Sequence, residues 1–193
     1  MMTLIVGVPD SGKSALAEEK VLELSGEGKR IYIATMIPFG EEGRQRVIKH
    51  KKLREGKGFF TIEAPVNVAE SARLVKGIGD ATCLLECVSN LVGNVMHDGK
   101  AVGIKTPKDM ENGSDPALDD LVVEMVVLDI RELCKLCKNL VVVTNSFPGD
   151  EESYDDDTIR YVKLLDRVNE ELLGISDRLY EYREGEWICR EHL

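Results

Sequence analysis

Positive charge is in short supply in this chain, where 25 Lys and Arg face 35 Asp and Glu for a formal net charge of −10. A surface of that sign repels phosphate polyanions at long range, which argues against a nucleic-acid partner and makes any phosphate site a local one. Long apolar runs are missing too. No stretch approaches the roughly 20 apolar residues that a membrane-crossing helix needs. The opening Met1-Met2-Thr3-Leu4 also lacks the basic segment of a signal peptide. The expectation is a cytoplasmic protein without membrane insertion. Aromatic residues make up only 5% and are scattered, so no platform for stacking single-stranded nucleic acid is visible. The five cysteines, spread from Cys83 to Cys189, are an odd number and do not resemble a disulfide framework. They read as reduced thiols.

What is present is enough for one core: 193 residues, 43% of them hydrophobic, with neither an internal repeat nor a linker to divide them. Leu4-Ile5-Val6 predicts a strand that stops at Gly7, and the spacing from Lys13 to Leu24 predicts a helix. Arg30 to Ala34 reads as a second strand. The charged stretch Glu41 to Arg54 reads as a mostly exposed helix, and Phe59 to Ile62 as a short strand. Pro65 to Lys76 reads as a helix, Ala81 to Leu85 as a buried strand, and Leu91 to Met96 as helical. The polar, Gly- and Pro-containing stretch from Asp98 to Pro116 reads as a surface loop. Leu118 to Cys137 has helical spacing. The three consecutive valines of Asn139 to Thr144 suit a parallel strand covered on both faces. A helix from Thr158 to Leu173 and a β pair, Arg178 to Tyr182 with Glu186 to Cys189, close the chain. Strands alternating with helices predict a single α/β domain over residues 1–193, doubly wound on a mostly parallel sheet with a C-terminal β pair.

Gly7-Val8-Pro9-Asp10-Ser11-Gly12-Lys13-Ser14 fits G-x-x-x-x-G-K-[ST] at every fixed position, between a predicted strand and a predicted helix. Glycines let main-chain N–H groups turn inward around phosphates, and the helix adds its positive N-terminal end. Lys13 would reach the β and γ phosphates. Ser14 would offer its hydroxyl to Mg²⁺, which neutralises charge on the transferring phosphoryl group. A second metal partner is expected at the end of a neighbouring strand, where Glu86 stands; Asp80 is less well placed. The bland reading of Glu86 is a solvated strand end.

Arg46, His50 and Arg54 recur at i, i+4 and i+8 and so share one helical face, a possible clamp for phosphates. An imidazole among cations favours its neutral, nucleophilic form, as a covalent phosphorus intermediate requires. The ordinary alternative is a solvated basic helix. Cys134 and Cys137 form C-x-x-C without a second pair or a nearby histidine, so helix packing is favoured over zinc. Cys83 and Cys87 read as buried small residues, and His97 and His192 as surface residues.

Taken together, GVPDSGKS, YIAT at Tyr32 to Thr35, R-x-x-x-H-K-x-x-R at Arg46 to Arg54, LLEC at Leu84 to Cys87 and VVVTN at Val141 to Asn145 resemble a known family. This is the bifunctional adenosylcobinamide kinase/adenosylcobinamide-phosphate guanylyltransferase family of cobalamin biosynthesis. The likeness runs nearly end to end and is most specific in about the first 95 residues. It implies a RecA-like P-loop NTPase fold, GTP and ATP as substrates, adenosylcobinamide as acceptor, guanylylation of His50 and a homo-oligomer, a trimer. By the same resemblance Thr35, Lys51, Arg54, Glu63 and Glu86 fall at or near nucleotide-contacting positions. The chain departs from the pattern after Asn145. There the family has E-V-G and a short apolar stretch expected to help hold the corrinoid, whereas here Ser146-Phe147-Pro148-Gly149 leads into the acidic segment Asp150 to Asp157. A later family element survives as Arg167-Val168-Asn169. Two other readings stay open: a different P-loop small-molecule kinase, and a regulatory nucleotide-binding protein that lost its substrate site.

Overall fold

The structure, a computed structural model, describes residues 1–97, 116–147 and 154–191. Seven strands form one sheet: β1 (Met2–Gly7), β2 (Arg30–Ala34), β3 (Phe59–Glu63), β4 (Thr82–Glu86), β5 (Asn139–Asn145), β6 (Arg178–Arg183) and β7 (Glu186–Glu191). Their order across the sheet is β3-β2-β4-β5-β1-β6-β7, and every pairing is parallel except β6 with β7. Six α-helices connect them: α1 (Lys13–Ser25), α2 (Gly40–Arg54), α3 (Val68–Arg73), α4 (Val88–His97), α5 (Pro116–Leu136) and α6 (Asp156–Leu173). The doubly wound, mostly parallel architecture expected from strand and helix alternation is what is seen.

The valine run shows why the sheet must be covered on both sides. Leu140 and Val142 face a large apolar cluster with α3, α4, α5 and α6, while Val141 and Val143 face a smaller one with Ala17 and Val21 of α1. Val141, Val142 and Val143 are each 0% exposed. Full burial of such a side chain contributes about 2 kcal/mol. The pleat puts Ile31, Ile33, Cys83 and Leu85 on the first face and Tyr32 and Leu84 on the second. This framework brings the ends of β1, β2, β4 and β5 to one edge, with Gly7 beside Asn145 and Ala34 beside Glu86.

Several boundaries differ from expectation for local reasons. The helix expected over Pro65 to Lys76 shrinks to α3, because Asn67 takes a left-handed conformation at φ 54° and the chain leaves the helix before Gly77. The first α3 amides, Val68 and Ala69, are satisfied by the Asp129 carboxylate of α5 at 2.7 and 2.9 Å. α5 begins at Pro116, a residue suited to a first helical turn, rather than at Leu118. α6 begins two residues early, at Asp156: Asp155 accepts from the Thr158 amide at 2.8 Å, and Asp156 and Asp157 occupy the first turn. The last part of the acidic segment therefore caps a helix and complements its dipole. Residues 150–153, most of the expected loop Asp98 to Pro116, and His192 lie outside the described residues. Cys83 and Cys137 are buried, the Cys137 thiol donating to the Leu133 carbonyl at 3.4 Å, and Cys134 is half-buried, in keeping with helix packing. No helix among the described residues is long and apolar enough to cross a membrane.

Candidate nucleotide site

The loop between Gly7 and Lys13 turns tightly at the carboxyl end of β1. Two of its glycines are required for separate reasons. A Cβ on Gly7 would lie 2.6 Å from the Ser11 hydroxyl and 3.0 Å from the Trp187 ring, so the loop closes against the β6–β7 hairpin only with no side chain there. Gly12 adopts φ 83° immediately before α1, a conformation that strains any residue with a Cβ. Asp10 is also left-handed, at φ 59°. α1 then points its N-terminus at the space the loop encloses, an arrangement that favours anions. The Lys13 ammonium folds back on its own loop, donating to the Val8 carbonyl at 2.9 Å. Burial pushes its pKa below the usual range, while the neighbouring Glu86 and Asp10 pull the other way.

Glu86 is the hinge of the site. It closes β4 at 7% exposure, and its Oε1 accepts from the Ser14 hydroxyl and lies 3.5 Å from His50 Nδ1. Its Oε2 is buried with no hydrogen-bond partner. An orphaned, buried carboxylate oxygen beside a serine hydroxyl at a phosphate loop fits a hard divalent cation, which takes one or two protein oxygens and completes its shell with phosphate and water. Among the described residues no group of three or more His, Cys, Asp or Glu forms a protein-only cage. The reading of Glu86 as a solvated strand end does not hold.

The basic face of α2 is rearranged relative to expectation. Arg46 is exposed and paired with Glu42 of its own helix at 2.6 Å. Arg54 is buried, its guanidinium 3.4 Å from the centre of the Tyr32 ring. These two and His50 do not form a joint phosphate clamp here, because each arginine already has a partner nearer to hand. The charged group facing His50 is the Glu86 carboxylate and not a cation. Tyr32 is held protonated well above its usual range, first by burial and then by Glu86. Thr35 is buried, and its hydroxyl both accepts from the Cys87 amide and donates to the Cys87 carbonyl, each at 2.8 Å. It fixes the chain after Glu86. Glu63 is exposed at the end of β3, and Lys51 is exposed on α2. Cys87 is half-buried rather than fully enclosed; its thiol contacts the Ser89 hydroxyl at 2.9 Å, and burial pushes its pKa up.

Sequence reasoning missed Glu18, Lys57 and Trp187, and took Tyr32 only as part of YIAT, with no role of its own. Lys57, just beyond α2, reaches Glu18 of α1 at 2.6 Å, and Glu18 is 1% exposed. Neither residue lies in a motif. Their only sequence signal is a glutamate on the inward face of a helix. Asn169 of the surviving Arg167-Val168-Asn169 element ties α6 to the end of β5, donating to the Asn145 carbonyl at 3.0 Å and accepting from Thr144 at 2.7 Å.

A parallel sheet with a glycine-rich phosphate loop at the carboxyl end of its first strand, a lysine and a serine opening the next helix, and a strand-end carboxylate defines the class of P-loop nucleotide-binding proteins. Solved structures bear out the fold. The chain is similar to the structure titled "ATPase Domain of G40P", with TM-score 0.52, 10% identity, and coverage of 95% of this chain and 69% of that one. It is also similar to an ATPase of the type III secretion system of pathogenic bacteria, with TM-score 0.53, 13% identity, and coverage of 95% of this chain and 51% of that one. The chain thus spans about half the length of the latter. No individual curated protein matches it by sequence. The family model for cobinamide kinase/cobinamide phosphate guanyltransferase matches residues 3–188, and the chain belongs to that family. It is a transferase of the kinase and nucleotidyltransferase type, in cobalamin biosynthesis.

Proposed function

We propose that one nucleotide site carries out both reactions, with His50 as the residue that takes up GMP. The observation that carries this reading is the convergence of Ser14 and His50 on the single carboxylate of Glu86 at the mouth of the phosphate loop. In the kinase reaction the acceptor hydroxyl of adenosylcobinamide forms a bond to the γ-phosphorus of ATP or GTP. The bond to the β–γ bridging oxygen breaks, and the hydroxyl proton passes to solvent. Loop amides and Lys13 stabilise the charge on the departing diphosphate. Ser14 and Glu86 would hold Mg²⁺, which supplies Lewis-acid neutralisation of phosphate charge. In the second reaction the free nitrogen of His50 forms a bond to the α-phosphorus of GTP and pyrophosphate leaves. A phosphate oxygen of the phosphorylated cobinamide then displaces the imidazole, giving GDP-cobinamide. A hydrogen bond from Nδ1 to Glu86, which lies 3.5 Å away, would leave the Nε2 lone pair for attack.

Lys51 and Glu63, both exposed, extend the nucleotide surface in this reading, while the buried Thr35 and Arg54 support it from beneath. The loop residues Val8, Pro9, Asp10, Ser11 and Gly12 contribute main-chain amides. A cytoplasmic homo-oligomer, with three copies, belongs to the same proposal. Incubation with α-labelled GTP tests the chemistry. The wild type acquires an acid-labile, base-stable label, and His50→Ala acquires none while still phosphorylating adenosylcobinamide. A labelled His50→Ala protein means another nucleophile, and an unlabelled wild type that retains kinase activity means a plain P-loop kinase.

A further inference from the structure

A groove of about 640 Å³ runs along one face of α4, the helix that follows Glu86 and Cys87. Its floor is Ser89, Asn90, Gly93, Asn94 and His97, residues at helical spacing, and its walls include Ile37 and Tyr161. None of the described residues that line it is a Lys, Arg, Asp or Glu. Its one titratable imidazole, His97, faces Asp157 of α6 at 3.6 Å. The described lining thus offers an anion no Lys or Arg, unlike the phosphate loop with Lys13. The polar groups are of one kind. Asn94 donates to the Thr35 and Pro65 carbonyls, both at 2.8 Å, which leaves its side-chain oxygen for another donor. Asn90 has no side-chain partner among the described residues. Ser89 links the groove to Asn145, whose Nδ2 donates to the Ser89 hydroxyl at 2.8 Å. The Asn145 Oδ1 is buried with no donor. Asn145 is also the register partner of Gly7 at the start of the phosphate loop. A buried carbonyl oxygen without a donor is costly unless something supplies one.

We propose that this groove holds the phosphoryl acceptor, a largely uncharged, carboxamide-bearing molecule whose hydroxyl arm enters past Ser89 and donates to Asn145 Oδ1. The assignment rests on the function proposed above. A carboxamide of the ligand exchanges paired hydrogen bonds with Asn90, the Asn94 side-chain oxygen accepts from another, Ile37 and Tyr161 cover its apolar edge, and Asn145 aims the hydroxyl toward the loop. In this arrangement the helix that follows Glu86 brings the acceptor, and the phosphate loop brings the donor.

Gly93 offers a way to fill the groove from below. A Cβ there would meet only Tyr161, at 3.7 Å, so the helix accepts a side chain while a branched one projects into the space. The test is steady-state phosphorylation of adenosylcobinamide by Gly93→Leu and Asn90→Leu, with GTP affinity measured calorimetrically on the same samples. Either variant is expected to raise the acceptor KM by about tenfold or more, with GTP affinity unchanged; Asn90→Leu decides the matter if Gly93→Leu does not fold. Acceptor KM values within about twofold of wild type in a folded variant overturn the groove assignment and leave the proposed function standing. A wild type that binds GTP but never turns over adenosylcobinamide overturns both.

Discussion

The phosphate loop and α2 meet at Glu86, yet they are held in opposite ways. The loop is anchored by main chain: it leaves a strand whose Leu4 and Ile5 are fully buried, closes on the β6–β7 hairpin at Gly7, and feeds α1, whose inner face is core. α2 buries only Gly43 and Arg54. It is held by side chains: Arg54 on the Tyr32 ring, His50 beside Glu86, and Lys57, just past its end, on Glu18. A site half of backbone and half of side chains should respond unequally to mutation. Substitutions at the loop lower every reaction of the triphosphate, whereas substitutions beneath α2 affect what depends on placing His50.

The largest effect is expected at Lys13. Lys13→Ala should lower both adenosylcobinamide phosphorylation and His50 labelling by about 10³-fold, because it removes charge stabilisation common to both transfers. A loss confined to one reaction would break the picture of a shared loop. A smaller and selective effect is expected at Lys57. Its removal leaves the Glu18 carboxylate buried and unpaired, costing roughly 2 kcal/mol, less than a fully enclosed pair because Lys57 is partly exposed. Thermal unfolding should show this as a melting temperature lower by about 5 °C. His50 labelling should slow by about tenfold while the kinase rate changes by less than about threefold. Equal slowing of both reactions would mean that α2 is no more dependent on its side-chain anchors than the loop is.

This division also explains what could be read in advance. The phosphate loop is contiguous and its neighbours are periodic, so the motif Gly7 to Ser14, the strand ending at Glu86 and the valine strand were all legible from spacing and composition. So was the β6–β7 pair. The partners of α2 were not. Arg54 meets Tyr32 across 22 positions of sequence and Lys57 meets Glu18 across 39. Helical spacing alone grouped Arg46 with His50 and Arg54, although a glutamate four residues earlier in α2 was available to Arg46. Asp155 shows the same limit on a smaller scale. Within the acidic run Asp150 to Asp157 nothing sets it apart, and only the start of α6 reveals it as a cap.

The account depends most on a triphosphate held by the loop together with a divalent cation at Ser14 and Glu86. Calorimetric titration of GTP into the wild type and Glu86→Gln, each with Mg²⁺ and with chelator, addresses this directly. The predicted result is saturable binding to the wild type that weakens by about tenfold or more without Mg²⁺, and a much smaller Mg²⁺ dependence in Glu86→Gln. No binding to the wild type, or an affinity indifferent to Mg²⁺ in both proteins, would contradict it.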